Sequence, residues 1–166
     1  MPMRKLALAG LFVAMGLVLP MAFHSLGLGR AFLPMHIPVM LAGIYLDWRL
    51  GIAVGVVTPV LSSVLTAMPA MPMALTMVFE LSIYAVIAGA AYRRTRNGLL
   101  SVAAAAFAGR LVYGFVAYLL FPLLGLTQVA PFYPITTGLV TGLPGVAVQL
   151  VLIPLLLLKI KPEREI

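Results

Sequence analysis

Two ionisable residues, Glu80 and Arg110, stand inside long apolar stretches of this 166-residue chain. An ionisable group is costly inside a membrane, so each is a candidate for function. A carboxylate and a guanidinium can pair with each other, and a paired arginine can still bind the anionic group of a ligand. The two residues therefore predict a buried ion pair that joins two helices, a site that binds an anion, or both.

Both residues are expected at the same depth. Glu80 lies 13 residues before Arg93, and Arg110 lies 12 residues after Gly98. At about 1.5 Å of rise per residue, each is ~18–20 Å from the connection that joins their two helices. We therefore expect the pair to face each other in the outer half of a bilayer.

Other polar side chains are predicted near this pair. Tyr84 follows Glu80 by four residues and Tyr113 follows Arg110 by three, which is one helical turn in each case. Four more candidates are expected at the outer ends of their helices: His36, Ser63, Thr66 and Thr137. We interpret the set as the lining of a polar pocket, although each such side chain could instead bond to its own or a neighbouring helix.

The stretches that carry these residues require a membrane. The chain is 63% apolar and 9% charged, with a mean hydropathy of +1.15, whereas an ordinary soluble domain is ~45–50% apolar and ~25% charged. With about 20 residues for each spanning helix, we predict an all-α membrane protein with one domain, residues 1–166, and six transmembrane helices. The predicted spans are residues 5–23, 32–46, 50–67, 73–92, 99–121 and 135–158.

The basic residues predict how these spans are oriented. Six spans place both termini on one side, and nine of the eleven basic residues fall on that side: Arg4, Lys5, Arg49, Arg93, Arg94, Arg96, Lys159, Lys161 and Arg164. Because basic loops stay in the cytoplasm, both termini are expected there. The net charge of +7 then reflects membrane topology, and no nucleic-acid partner is expected.

Two motifs of small residues allow helices to approach closely. Gly10 and Ala14 lie four residues apart in the first span, and Gly51 and Gly55 do so in the third. Either motif could contact a partner subunit or pack inside the protein.

The sequence lacks the residues that several kinds of catalysis and metal binding require. The sequence has no cysteine and only four acidic residues, and it contains no G-x-x-x-x-G-K-[ST], H-E-x-x-H or G-x-S-x-G motif. We therefore expect no metal, no cofactor and no ATPase activity of its own. If the protein moves a solute uphill, the energy is expected to come from a partner.

A spaced set of motifs resembles a known family. The motifs are LPMHIPVMLAG (33–43), GIAVGVVTPVLSS (51–63), Met68-Pro69, Glu80-Leu81 with Tyr84, GRLVYG (109–114) and GLPG (142–145). Together they cover nearly the whole chain. They resemble the substrate-binding S component of energy-coupling factor (ECF) vitamin transporters, in the folate/pantothenate-like group.

The resemblance implies a compact six-helix protein of the prokaryotic plasma membrane. It implies that the protein binds a vitamin-like small molecule from outside and docks onto a transmembrane coupling subunit that carries two cytoplasmic ATPases. In the family a small-residue patch on the first helix, typically Ala-x-x-x-Ala, contacts the coupling subunit; here Gly10 and Ala14 are the nearest match. Arg110 favours an anionic ligand, so pantothenate is the first choice, while folate, a pyrimidine or pyridine vitamin and a queuosine precursor remain open.

Two other functions are compatible with the residues. Glu80, His36 or Ser63 could serve an intramembrane enzyme that acts on lipid. Alternatively, the chain could be a structural subunit or a small channel. Tight binding of a water-soluble vitamin without turnover would distinguish the transport function from both.

Overall fold

The computed structural model describes residues 3–25, 27, 34–125 and 133–160, with the backbone alone for 24–25 and 133–141. This part of the chain forms six helices and contains no strand. The helices are α1 (Met3–Ser25), α2 (His36–Tyr45), α3 (Trp48–Thr66), α4 (Met73–Thr95), α5 (Gly98–Leu123) and α6 (Tyr133–Lys159). The all-α prediction is confirmed.

Five of the six helices include a segment that is long and apolar enough to cross a membrane, and α2 is the exception. Its 10 residues rise only about 15 Å, whereas the hydrocarbon core of a bilayer is ~30 Å thick. Residues 36–44 are all buried inside the bundle. The second predicted span therefore contains a short internal helix, whose Pro38 is tolerated because it falls in the first turn.

Local signals set several of the helix ends. The Asp47 carboxylate accepts hydrogen bonds from the backbone N–H groups of Arg49 and Leu50, at 3.0 Å each, and so begins α3. The Asn97 side chain begins α5 in the same way, by accepting from the N–H of Leu100 at 3.1 Å. Arg96, with φ 55°, ends α4 in the left-handed region. Two polar caps thus form the sharp reversals of the chain before α3 and between α4 and α5.

Helix α4 lies at the centre of the described bundle, where it packs against α2, α3 and α5. Helix α1 packs on α2 and α3, and α6 packs mainly on α5. Close packing against α4 depends on glycines: a Cβ at Gly43 would overlap the Ala85 carbonyl, and one at Gly55 would lie 2.8 Å from the Ser82 backbone. The glycine motif of α3 therefore packs inside the protein, which leaves the motif of α1 as the candidate for a partner.

Candidate functional site

Three ionisable side chains from three helices meet inside the bundle. Glu80 Oε1 of α4 lies 3.1 Å from Arg110 Nη1 of α5 and 3.5 Å from His36 Nε2 of α2. The exposed fractions are 1% for Glu80, 8% for Arg110 and 0% for His36. We call these three residues the charged cluster. The Glu80–Arg110 pairing expected from the sequence is present, and His36 joins it.

Tyr84 holds the cluster in place from one side. It lies one turn after Glu80 on α4 and is fully buried. Its ring meets the His36 ring edge-on, with 4.8 Å between the centroids, and its hydroxyl donates to the Ala106 carbonyl at 3.5 Å. Gly109 makes room for this ring, because a Cβ there would overlap it. The residue before Arg110 is therefore a glycine for a steric reason.

The cluster retains unused hydrogen-bonding groups. Neither imidazole nitrogen of His36, and neither Nε nor Nη2 of Arg110, makes a hydrogen bond within the described part of the protein. Nε and Nη2 form one edge of the guanidinium, and this edge matches the two oxygens of a carboxylate. Buried polar groups are almost always satisfied, by protein, water or ligand. The free edge of Arg110 therefore marks a place where an anion can bind.

The other predicted residues have different surroundings. Tyr113 is half-buried beside Thr76, close enough to Glu80 and Arg110 to interact electrostatically with both. The Thr66 hydroxyl donates to the Ser62 carbonyl at 2.7 Å and accepts from the Met68 N–H at 3.3 Å, so it stabilises the end of α3.

Two predicted residues are not brought to the cluster by any contact that the structure gives. Ser63 is half-buried on α3. Thr137 falls in the part of α6 for which only the backbone is described.

Five buried polar residues of the described structure were not among the predicted site residues: Thr58, Ser62, Thr76, Ser101 and Gln149. Thr76 is fully buried in the first turn of α4, where its hydroxyl donates to the Met73 carbonyl at 2.8 Å. Gln149 is fully buried in α6. A single amide in an otherwise apolar span is itself a signal, because polar groups in a membrane usually face the protein interior.

The small-residue motif of α1 faces outward. Gly10 and Ala14 are both exposed, and a Cβ at Gly10 would have no atom within 4 Å. Ala7 is exposed on the same side of the helix. We call these three residues the small-residue stripe.

Comparison with known proteins gives one match. The model of a protein family described as "ECF transporter, substrate-specific component" matches residues 4–157. No curated protein and no solved structure matches the chain.

Proposed function

Because the chain belongs to the family of ECF transporter substrate-specific components, we propose that it captures a small carboxylate vitamin, pantothenate as the first choice, from outside the cell. Members of this family are substrate-binding subunits of ECF importers rather than enzymes. They work with a membrane coupling subunit and ATPases. The identity of the ligand, the residues that bind it and the surface that docks on the coupling subunit are our proposals.

The observation that carries the choice of ligand is the free edge of Arg110. The guanidinium is more than nine-tenths buried, its Nη1 atom lies 3.1 Å from Glu80 Oε1, and its Nε and Nη2 atoms have no hydrogen-bond partner in the described residues. A carboxylate that accepts from both atoms would make a bidentate, charge-assisted contact away from bulk water. This favours a ligand with a carboxylate over a neutral or cationic one.

The remaining polar groups suit a ligand that also carries hydroxyl and amide groups. His36 offers a ring nitrogen 3.5 Å from Glu80, and Tyr113 is half-buried close by. Pantothenate combines one carboxylate with an amide and two hydroxyls in a small, flexible molecule. Folate has two carboxylates and a large ring system, so it would need more charge and more space.

We also propose that the small-residue stripe docks on the coupling subunit. Its three residues are exposed on one face of α1, and small residues let two transmembrane helices approach until their backbones touch. Larger exposed residues border the stripe, including Leu11 and Val18. They could fill the grooves of a facing helix on either side of the contact.

A ligand screen of the purified protein tests the proposed function. Thermal unfolding and native mass spectrometry would be measured with pantothenate, pantothenol, folate, a pyridine vitamin, a pyrimidine vitamin and a queuosine precursor. We expect one bound pantothenate for each chain and a rise in the unfolding temperature that pantothenol, which lacks the carboxylate, does not match. Equal stabilisation by pantothenate and pantothenol would contradict the role given to Arg110.

A further inference from the structure

The charged cluster is already electrically balanced before any ligand binds. Glu80 supplies one negative charge and Arg110 one positive charge, and their nearest atoms are 3.1 Å apart. With a neutral His36 the net charge of the cluster is zero. A carboxylate that enters would leave one uncompensated negative charge in a site where all three side chains are at least nine-tenths buried. An uncompensated buried charge is unfavourable.

We infer that the protein binds its carboxylate ligand together with one proton, which His36 takes up. This inference rests on the proposed function. A neutral imidazole carries one proton on its two nitrogens and a lone pair on the other, and neither nitrogen of His36 has a hydrogen-bond partner in the described structure. A proton from solvent adds to that lone pair. The cluster then carries one net positive charge, which the ligand carboxylate neutralises.

The surroundings of His36 favour it as the acceptor of this proton. Glu80 faces it at 3.5 Å from α4 and would stabilise an imidazolium, and the Tyr84 ring meets it edge-on. From α5, Arg110 reaches the same Glu80 oxygen and Tyr113 lies nearby.

The other helices that pack on α2 carry their ionisable residues near their ends. On α1 these are Arg4, Lys5 and His24, on α3 Arg49, and on α6 Tyr133 and Lys159. Arg30 precedes α2 by six residues and lies outside the described part of the chain. Histidine is the side chain that ordinarily changes charge between about pH 5 and 8.

The number of protons bound with the ligand can be measured directly. Isothermal titration calorimetry of purified protein with pantothenate, repeated in two buffers of different ionisation enthalpy, gives that number at each pH. In the alkaline half of the range from about pH 5 to 8.5 we expect close to one proton for each ligand, and an affinity that falls about tenfold for each pH unit. Pantothenol should take up no proton.

Two variants assign the proton. His36→Gln stays neutral at every pH, so it should bind pantothenate weakly, without proton uptake and without pH dependence. Glu80→Gln removes the charge that neutralises Arg110, so it should bind pantothenate without proton uptake and, at alkaline pH, more tightly than the wild type. Thermal unfolding of each variant without ligand shows whether it is folded. Proton uptake that persists in folded His36→Gln would overturn the assignment to His36.

The failure of this inference differs from the failure of the proposed function. If pantothenate binds with the same affinity at every pH and without proton uptake, the inference is wrong and the proposed ligand stands. If pantothenate binds at no pH, the proposed ligand is wrong and the inference falls with it.

Discussion

A single carboxylate oxygen, Oε1 of Glu80, lies next to both bases of the charged cluster. Replacing either His36 or Arg110 therefore changes the environment of the other two side chains of the cluster. A buried carboxylate that loses its partner typically destabilises a protein by roughly 3–5 kcal/mol. Substitutions in the cluster must for this reason be judged by stability and affinity together.

The first prediction concerns Arg110. Arg110→Ala should weaken pantothenate binding by roughly 2–5 kcal/mol, because it removes one partner of a buried charge pair. Arg110→Lys should restore only part of this loss, since an ammonium lacks the planar edge that holds two oxygens. Both values can be measured by calorimetry at a fixed pH.

A double variant separates binding from stability. Arg110→Ala should lower the unfolding temperature, and adding Glu80→Gln should recover much of it, because no unpaired charge then remains. Affinity should not recover. If the double variant were as stable as the wild type and bound pantothenate equally well, the pair would only join α4 to α5.

For individual residues, the sequence alone predicts part of the charged cluster. Counting residues from the α4–α5 connection places Glu80 and Arg110 at one depth, since helical rise is regular. It does not predict that His36 reaches the same oxygen, because that depends on the length and rotation of α2. A role of Thr66 in ligand binding stays a prediction; in the structure its hydroxyl bonds with the backbone where the chain turns back after α3.

Helices α2 and α4 approach until backbone meets backbone, and glycine is the reason. Gly43 of α2 lies against the Ala85 carbonyl, and Gly89 of α4 lies against the Gly43 carbonyl. Spacing alone cannot show which glycine motifs pack internally. The motif of α3 and the motif of α1 have the same spacing, yet only the first is buried against another helix.

The second prediction compares two glycines inside helices. Gly43→Ala should destabilise the protein by roughly 3 kcal/mol, at the upper end of the usual cost of overpacking, because the new methyl group meets backbone that cannot move aside. Gly10→Ala should be neutral or stabilising by up to about 1 kcal/mol, since alanine favours a helix and the space beside Gly10 is open. Thermal unfolding of both variants in one detergent would test this, and equal effects would contradict the packing described for α2.

The long helices could be predicted from sequence better than the short one could. A run of about 20 apolar residues specifies a spanning helix through the thickness of the bilayer, and five helices contain such a segment. The residues of α2 are as apolar as those of its neighbours. Helix α2 is short because it lies inside the bundle, where it need not cross the bilayer. That position depends on the packing of the other helices, so the local sequence of α2 does not predict it.

At the scale of the whole molecule, the exposed face of α1 is the surface that we expect to contact another subunit. Ala14→Leu should weaken assembly with the coupling subunit, because a larger side chain separates helices that small residues let approach. Ligand binding by the isolated protein should be unchanged, since Ala14 is exposed. Co-purification with the coupling subunit and its ATPases measures the effect.

The matched control for this prediction is Ala104→Leu, which makes the same change at an exposed position of α5. It should leave assembly intact. If Ala104→Leu disrupted assembly as strongly as Ala14→Leu, the docking surface would not be specific to α1. Loss of ligand binding in Ala14→Leu, with assembly unchanged, would show that the stripe packs inside the protein.

The fourth prediction concerns orientation. A reporter fused to the C-terminus should be cytoplasmic, and one inserted near Gln128 should be external, because basic residues concentrate on the side of the termini. Accessibility of each reporter in intact cells would show this. An external C-terminus would contradict the predicted six-span topology. It would also place the charged cluster nearer the cytoplasmic side of the membrane, where a ligand from outside could not reach it directly.

The short helix α2 also has an electrical consequence. Its first residue is His36, and no side chain caps its first turn. The peptide dipoles of a helix add up to about half a positive charge at its N-terminus, and α2 begins at the buried residue whose ring lies 3.5 Å from Glu80. Because this half charge belongs to the backbone, no side-chain substitution removes it. This half charge offsets only part of the charge of Glu80, so the site of Arg110→Ala is net negative and should lose its preference for pantothenate over pantothenol.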